Sequence, residues 1–115
     1  MEPTHTKWTQ DELKAYLALY CFNFDFNKKN NTLDYAIFKI EKSKAEQLVS
    51  EFQKDNDYRS IQKISTYIAN NQYSEGQLHE LFHDLTSLII LSGRKCSDVI
   101  RSIILGLERT LSFTA

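Results

Sequence analysis

The sequence predicts an all-α fold: a compact single-domain bundle of about six helices. Three observations carry that prediction. Apolar residues recur at three- and four-residue spacing in six successive segments. Three Ser/Thr-x-x-Glu/Gln strings stand at the starts of such segments, each the signature of a capping box. The 115 residues include only 3 glycines and 1 proline, too few for the turns a sandwich or barrel needs. The hydrophobic share is 42% and the charged share 25%, so one folded domain of this length buries a core without disulfides or metal staples.

Residues 1–8 are polar apart from Trp8 and are expected to form a flexible N-terminus, with the helical domain spanning 9–115. Thr9 and Glu12 form the first capping box, and Trp8 precedes it where a hydrophobic staple would sit. The first helix is expected over 10–24. Leu13, Tyr16, Leu17, Tyr20, Cys21 and Phe24 share one face, and Leu19 and Phe22 lie on another, so this helix is apolar over much of its circumference and central in the bundle.

The segment 25–32, Asp-Phe-Asn-Lys-Lys-Asn-Asn-Thr, is a polar loop, because Asn and Asp side chains bond to nearby backbone and favour turns. Thr32 caps a second helix over 33–42, with Asp34 complementing the dipole in its first turn. Ser43 and Glu46 form the second capping box, opening a third helix over 44–54 with Ala45, Leu48, Val49 and Phe52 inward. Asp57 caps a fourth over 58–70, with the stripe Tyr58, Ile61, Ile64, Tyr67 and Ile68, and Asn70-Asn71 stops it. Ser74 and Gln77 make the third capping box. The fifth helix, 75–91, carries Leu78, Leu81, Phe82, Leu85, Leu88 and Ile89 inward. Ser92-Gly93 ends it, glycine suiting the left-handed position after a helix. Ser97 caps a sixth over 98–112, with Asp98 in its first turn and Val99, Ile100, Ile103, Ile104, Leu107 and Leu111 as its stripe.

Residues 13–41 and 81–111 thus read as two loose copies of one helix–loop–helix unit, each with an aspartate opening its second helix. Asp25, Asn27, Asn30, Asn31 and Asp34 at the first joint, joined by Asp98 if the two joints meet, supply oxygens to a hard divalent cation such as Ca²⁺. An EF-hand starting at Asp25 fails, since its sixth position is Asn30 and its twelfth Ala36, where Gly and Glu are required. The competing reading makes these residues turn and cap formers.

A second candidate site is His79-Glu80-Leu81-Phe82-His83. This string sets two imidazoles one helical turn apart beside a glutamate, as in zinc proteases, where the histidines bind the metal and the glutamate activates its water. The longer form of the motif needs Gly and His where this chain has Thr86 and Ile89. Glu108 is the one candidate third ligand at plausible separation. Both histidines fall about 100–140° from Leu78 around the helix, on the shoulder of the apolar stripe.

Charge argues about partners. With 14 basic and 15 acidic residues the net charge is -1, and no basic stripe runs along the chain, so nucleic acid is not an expected partner. No apolar run approaches the ~20 residues a membrane span needs, and the N-terminus lacks the apolar core of a signal peptide. A cytoplasmic setting with reduced thiols at Cys21 and Cys96 is expected, although Arg94 and Lys95 beside Cys96 favour its thiolate. No cofactor is required by any motif present.

The run Trp8-Thr9-Gln10-Asp11-Glu12-Leu13, followed by Leu17-Ala18-Leu19-Tyr20-Cys21-Phe22-Asn23-Phe24-Asp25, resembles the opening of the TerB-like, tellurite-resistance family. The resemblance extends to Asp34 in the first joint and to Ser92-Gly93 and Asp98 in the second. It implies an all-helical bacterial interaction module linked to stress responses, non-enzymatic and in some members metal-binding at the two joints. This chain departs from the family pattern at Ser92, where an aspartate is usual, and at Asp34 and Asp98, where glutamates are. Two alternatives stand beside that expectation. One is a small zinc-dependent hydrolase using His79, Glu80 and His83. The other is a helical inhibitor or immunity-type protein that binds one protein partner by surface complementarity.

Overall fold

A computed structural model describes residues 8–22, 35–91 and 98–112. The described residues form five α-helices and no strand: α1 Gln10–Phe22, α2 Lys42–Lys54, α3 Asp57–Asn70, α4 Glu75–Leu91 and α5 Asp98–Ser112. The all-α class expected from the apolar spacing is the observed one.

α1 runs through the middle of the bundle. Leu13 and every residue from Ala15 to Phe22 are buried, so the helix has almost no wet side within its last two turns. It packs against all four other helices. This is the consequence of an apolar surface that wraps the helix rather than striping it. Its capping box forms as the sequence implies. Thr9 Oγ1 accepts from the Glu12 amide at 3.1 Å, and Glu12 Oε1 accepts from the Thr9 amide at 3.0 Å. Trp8 is buried and lies against Tyr16, ring centroids 4.6 Å apart, one turn further along than a staple onto the first turn would place it.

The largest departure from expectation lies between α1 and α2. The predicted second helix over 33–42 is not helical over 35–41. Residues 35–39 form a turn, and Glu41 is extended (φ -75, ψ 152) at the N-cap of α2. The cause is a Schellman reversal. Lys39 adopts φ 61, its amide donates to Ala36 O at 3.2 Å, and the Ile40 amide donates to Tyr35 O at 3.1 Å. The stop is local backbone geometry centred on a lysine, so neither glycine nor asparagine announces it. α2 accordingly starts at Lys42. Ser43 falls inside it, and the expected Ser43–Glu46 box gives way to Glu41, whose side chain makes no cap bond. The helix–loop–helix echo is likewise not reproduced over 35–41, where the first copy has this turn.

The remaining elements follow the pattern closely. α2 buries Ala45, Leu48 and Phe52. The α3 cap is Asn56 rather than Asp57: Asn56 Oδ1 accepts from the Arg59 amide at 2.8 Å, and Asp57 sits in the first turn. A second Schellman reversal ends α3, with Gln72 at φ 52 and the Tyr73 amide donating to Ile68 O. The Ser74–Gln77 box opens α4, with both reciprocal bonds present at 2.8 and 3.2 Å. α4 buries Leu78, Leu81, Phe82, Leu85 and Ile89, and α5 buries Ile100, Ile104, Leu107 and Leu111. Tyr58 and Val99, expected inward, are exposed. No helix among the described residues is long and apolar enough to cross a membrane.

Candidate functional site

Among the described residues, an extended side-chain polar network is built at the α2–α3 corner. Ser60 stands on the inward face of α3, one turn before Ile64 and two before Ile68, and is buried. Its Oγ lies 2.9 Å from the Tyr16 hydroxyl, which donates to Asp55 Oδ2 at 2.6 Å. Asp55 is the C-cap of α2, and the same oxygen accepts from Lys63 Nζ at 2.7 Å. Lys63 also donates to Glu51 Oε2 at 2.7 Å, so one ammonium bridges two carboxylates. Burial, with the Asp55 carboxylate beside it, pushes the Tyr16 phenol far above the ordinary tyrosine range. The phenol therefore stays protonated and acts as a donor. Each member of this network has a partner within it, and the network's chemistry is to fix the corner between α2 and α3 onto α1.

Among the described residues, three of the surface clefts bear on the candidate side chains. One, of about 350 Å³, is lined by Gln10, Tyr67, Asn71, Tyr73, Gln77, Glu80, Leu81 and Asp84. Tyr67 and Tyr73 face each other there at 6.2 Å, and Gln10 Nε2 donates to the Tyr73 hydroxyl at 3.2 Å. Burial, reinforced by Tyr73, raises the Tyr67 phenol to about 12. A second cleft lies between Asp11 and Lys14 of α1, the turn at Ile37–Lys39, and Asp84, Ser87 and Leu88 of α4. Lys14 and Asp84 pair across it at 3.5 Å. The third runs along α4 and α5, lined by Glu75, Leu78, His79, Leu105, Glu108, Arg109 and Ser112.

The His79–His83 string lies on α4 as expected, with both imidazoles exposed. Glu108 does come to His79: its Oε2 lies 3.1 Å from His79 Nδ1. Glu80 does not share that groove but lines the Tyr67–Tyr73 cleft instead. Among the described residues, no three His, Cys, Asp or Glu side chains converge on a point that would hold a metal ion. Of the expected joint ligands, Asp98 is an exposed residue in the first turn of α5, while Asp25, Asn27, Asn30, Asn31 and Asp34 lie outside the described residues. Cys96 lies outside them too, and Cys21 is fully buried in α1.

Two features escaped the sequence reading. Ser60 occupies a stripe position on α3, and a hydroxyl recurring in register with Ile64 and Ile68 was the available signal for a buried polar contact. The other is apolar exposure on α4 and α5. Ile90 is 55% exposed, Leu91 67%, Val99 47% and Leu105 63%. The run Leu88-Ile89-Ile90-Leu91 carried that signal, because four consecutive apolar residues on a helix cannot all face one side. No family model, curated protein or solved structure matches this chain.

Proposed function

We propose that this chain is a non-enzymatic, TerB-like helical interaction module of a bacterial cytoplasm that docks a protein partner on its α4–α5 face. The observation that carries the reading is the exposure of Ile90 and Leu91 at the end of α4 and of Val99 and Leu105 on α5. Large apolar side chains left exposed on a helix pair are the usual material of a helix-mediated interface. Fully burying one such side chain contributes about 1.5–3 kcal/mol, so a few suffice to anchor a partner. The buried polar groups at the α2–α3 corner are occupied with one another, which makes that corner a scaffold and leaves recognition to the outer faces.

Calcium tuning belongs to the same proposal through the family resemblance, with Asp25 and Asp34 as principal ligands and Asn27 and Asp98 behind them. The inhibitor or immunity-type reading uses the same apolar face and differs in needing no cation.

Paired substitution Ile90→Asp and Leu105→Asp tests the docking face. Both side chains are exposed, so the helical content should be retained while a partner retained stoichiometrically by the wild-type chain is lost. Equal retention by both chains would remove the face from the proposal. Melts in Ca²⁺ and in a chelator separate the two versions. Calcium stabilisation that disappears in Asp25→Ala supports the tuned module, since a ligand bound only by the native state raises its stability. A melt indifferent to calcium supports the cation-free version.

A further inference from the structure

We propose that His79 and His83 form a two-imidazole site for a late first-row divalent ion, zinc in the first instance, with Glu108 as the carboxylate that orients it. The two histidines are four residues apart on α4, which stacks their side chains on one face with Cβ atoms about 6 Å apart. Both are exposed and reachable from solvent.

The structure adds what spacing alone does not supply. Glu108 Oε2 lies 3.1 Å from His79 Nδ1, reaching across from α5. The glutamate side chain is 28% exposed against 73% for the histidine, so the carboxylate is the better-anchored partner of the pair. A histidine that donates Nδ1–H to a carboxylate keeps its lone pair on Nε2, the nitrogen then available to a metal. Metal-binding histidines characteristically carry such a carboxylate behind them, which fixes the tautomer and raises the basicity of the ring. Two imidazoles favour Zn²⁺, Ni²⁺ and Cu²⁺ over the oxygen-seeking Ca²⁺ and Mg²⁺.

Only two protein ligands are assigned, because no three such groups converge among the described residues. The other coordination positions fall to water or to a side chain brought by another molecule. This site differs from a zinc protease centre, since Glu80 lines the Tyr67–Tyr73 cleft and is not assigned to the metal. It shares its groove with Leu105 of the docking proposal, but its test reads the two imidazoles and not a partner, and it uses none of the calcium ligands expected at the joints.

Zinc titration of the full chain by calorimetry, with the imidazole signals followed by NMR, tests it. The expected result is one saturable zinc per chain, with the signals of His79 and His83 shifting together. His79→Ala or His83→Ala should each weaken binding by more than about tenfold, and Glu108→Gln by about tenfold with both imidazoles intact. His5→Ala, which removes the remaining histidine of the chain, should change nothing. These side chains are on the surface or in the N-terminal segment, so circular dichroism should report an unchanged fold. No saturable binding, or binding that survives His83→Ala, or a loss matched by His5→Ala overturns the site. Unchanged affinity in Glu108→Gln overturns the assignment of Glu108.

Discussion

Replacing Lys63 with methionine removes the cation that holds the α2–α3 corner. The stem of methionine fills much of the same volume, so the perturbation is chiefly the loss of charge. Lys63 and Asp55 are each 10% exposed at the side chain, and Glu51 is 27% exposed. Removing one partner of a fully buried ion pair costs about 3–5 kcal/mol, whereas exposed pairs are worth about 0–1 kcal/mol. The Lys63–Asp55 bond belongs near the first class. Asp55 keeps the Tyr16 hydroxyl at 2.6 Å, which softens the loss. The expected cost of Lys63→Met is therefore about 2–3 kcal/mol. Glu51→Gln, at the wetter end of the network, should cost under about 1 kcal/mol. For a chain of this size the lysine substitution lowers the melting temperature by about 10 °C. Urea denaturation followed by circular dichroism measures both variants, with the slope of the transition checked for constancy. A Lys63→Met chain as stable as wild type, or a Glu51→Gln chain as damaged as Lys63→Met, would refute the idea that a shielded lysine organises this corner.

The two Schellman reversals give a prediction of opposite sign. Lys39→Gly and Gln72→Gly should each raise stability by about 0.5–1 kcal/mol, because both positions have positive φ, which L side chains resist; urea midpoints that fall in both variants would contradict this. Thr9→Ala breaks the capping box of the central helix and should cost about 1 kcal/mol by the same assay. Alkaline pH should also destabilise the fold. Tyr16 and Tyr67 have phenols raised above the unfolded value of about 10, so the unfolded chain releases their protons first and stability falls as pH climbs past that point. The Tyr67 contribution is fully lost above about 12. Tyr16→Phe should flatten the decline in a pH series of urea midpoints, and an unchanged slope would remove Tyr16 from the effect.

Much of the fold was legible because most of its signals are local. The Thr9–Glu12 and Ser74–Gln77 boxes mark the starts of α1 and α4, and the wrapped apolar surface of 13–22 identifies α1 as the central helix. The boundaries of α4 and α5 follow from their stripes. What was not legible depends on contacts between distant residues or on backbone strain. Lys39 is an ordinary helix former, so nothing in its identity marks the left-handed turn that ends the segment before α2. Tyr16 read as one more apolar stripe residue. Its role as a buried donor emerges only when α3 brings Ser60 beside it and the end of α2 brings Asp55. Of the candidate sites, the approach of Glu108 to His79 followed from the antiparallel pairing of α4 and α5. The separation of Glu80 from that groove follows from its place a further 100° or so around the helix. The apolar residues Ile90 and Leu91 were legible as surplus to the stripe, though not as a surface.

The measurement that tests the interaction reading most directly is site-specific photo-crosslinking in cells. A photoreactive residue replaces Leu105 on the α5 face in one chain and exposed Gln62 on α3 in another. The account predicts one discrete protein adduct from position 105 that disappears when Ile90→Asp is added, and none from position 62. Adducts of equal yield from both positions, or none from position 105, would contradict the assignment of the α4–α5 face as the docking surface.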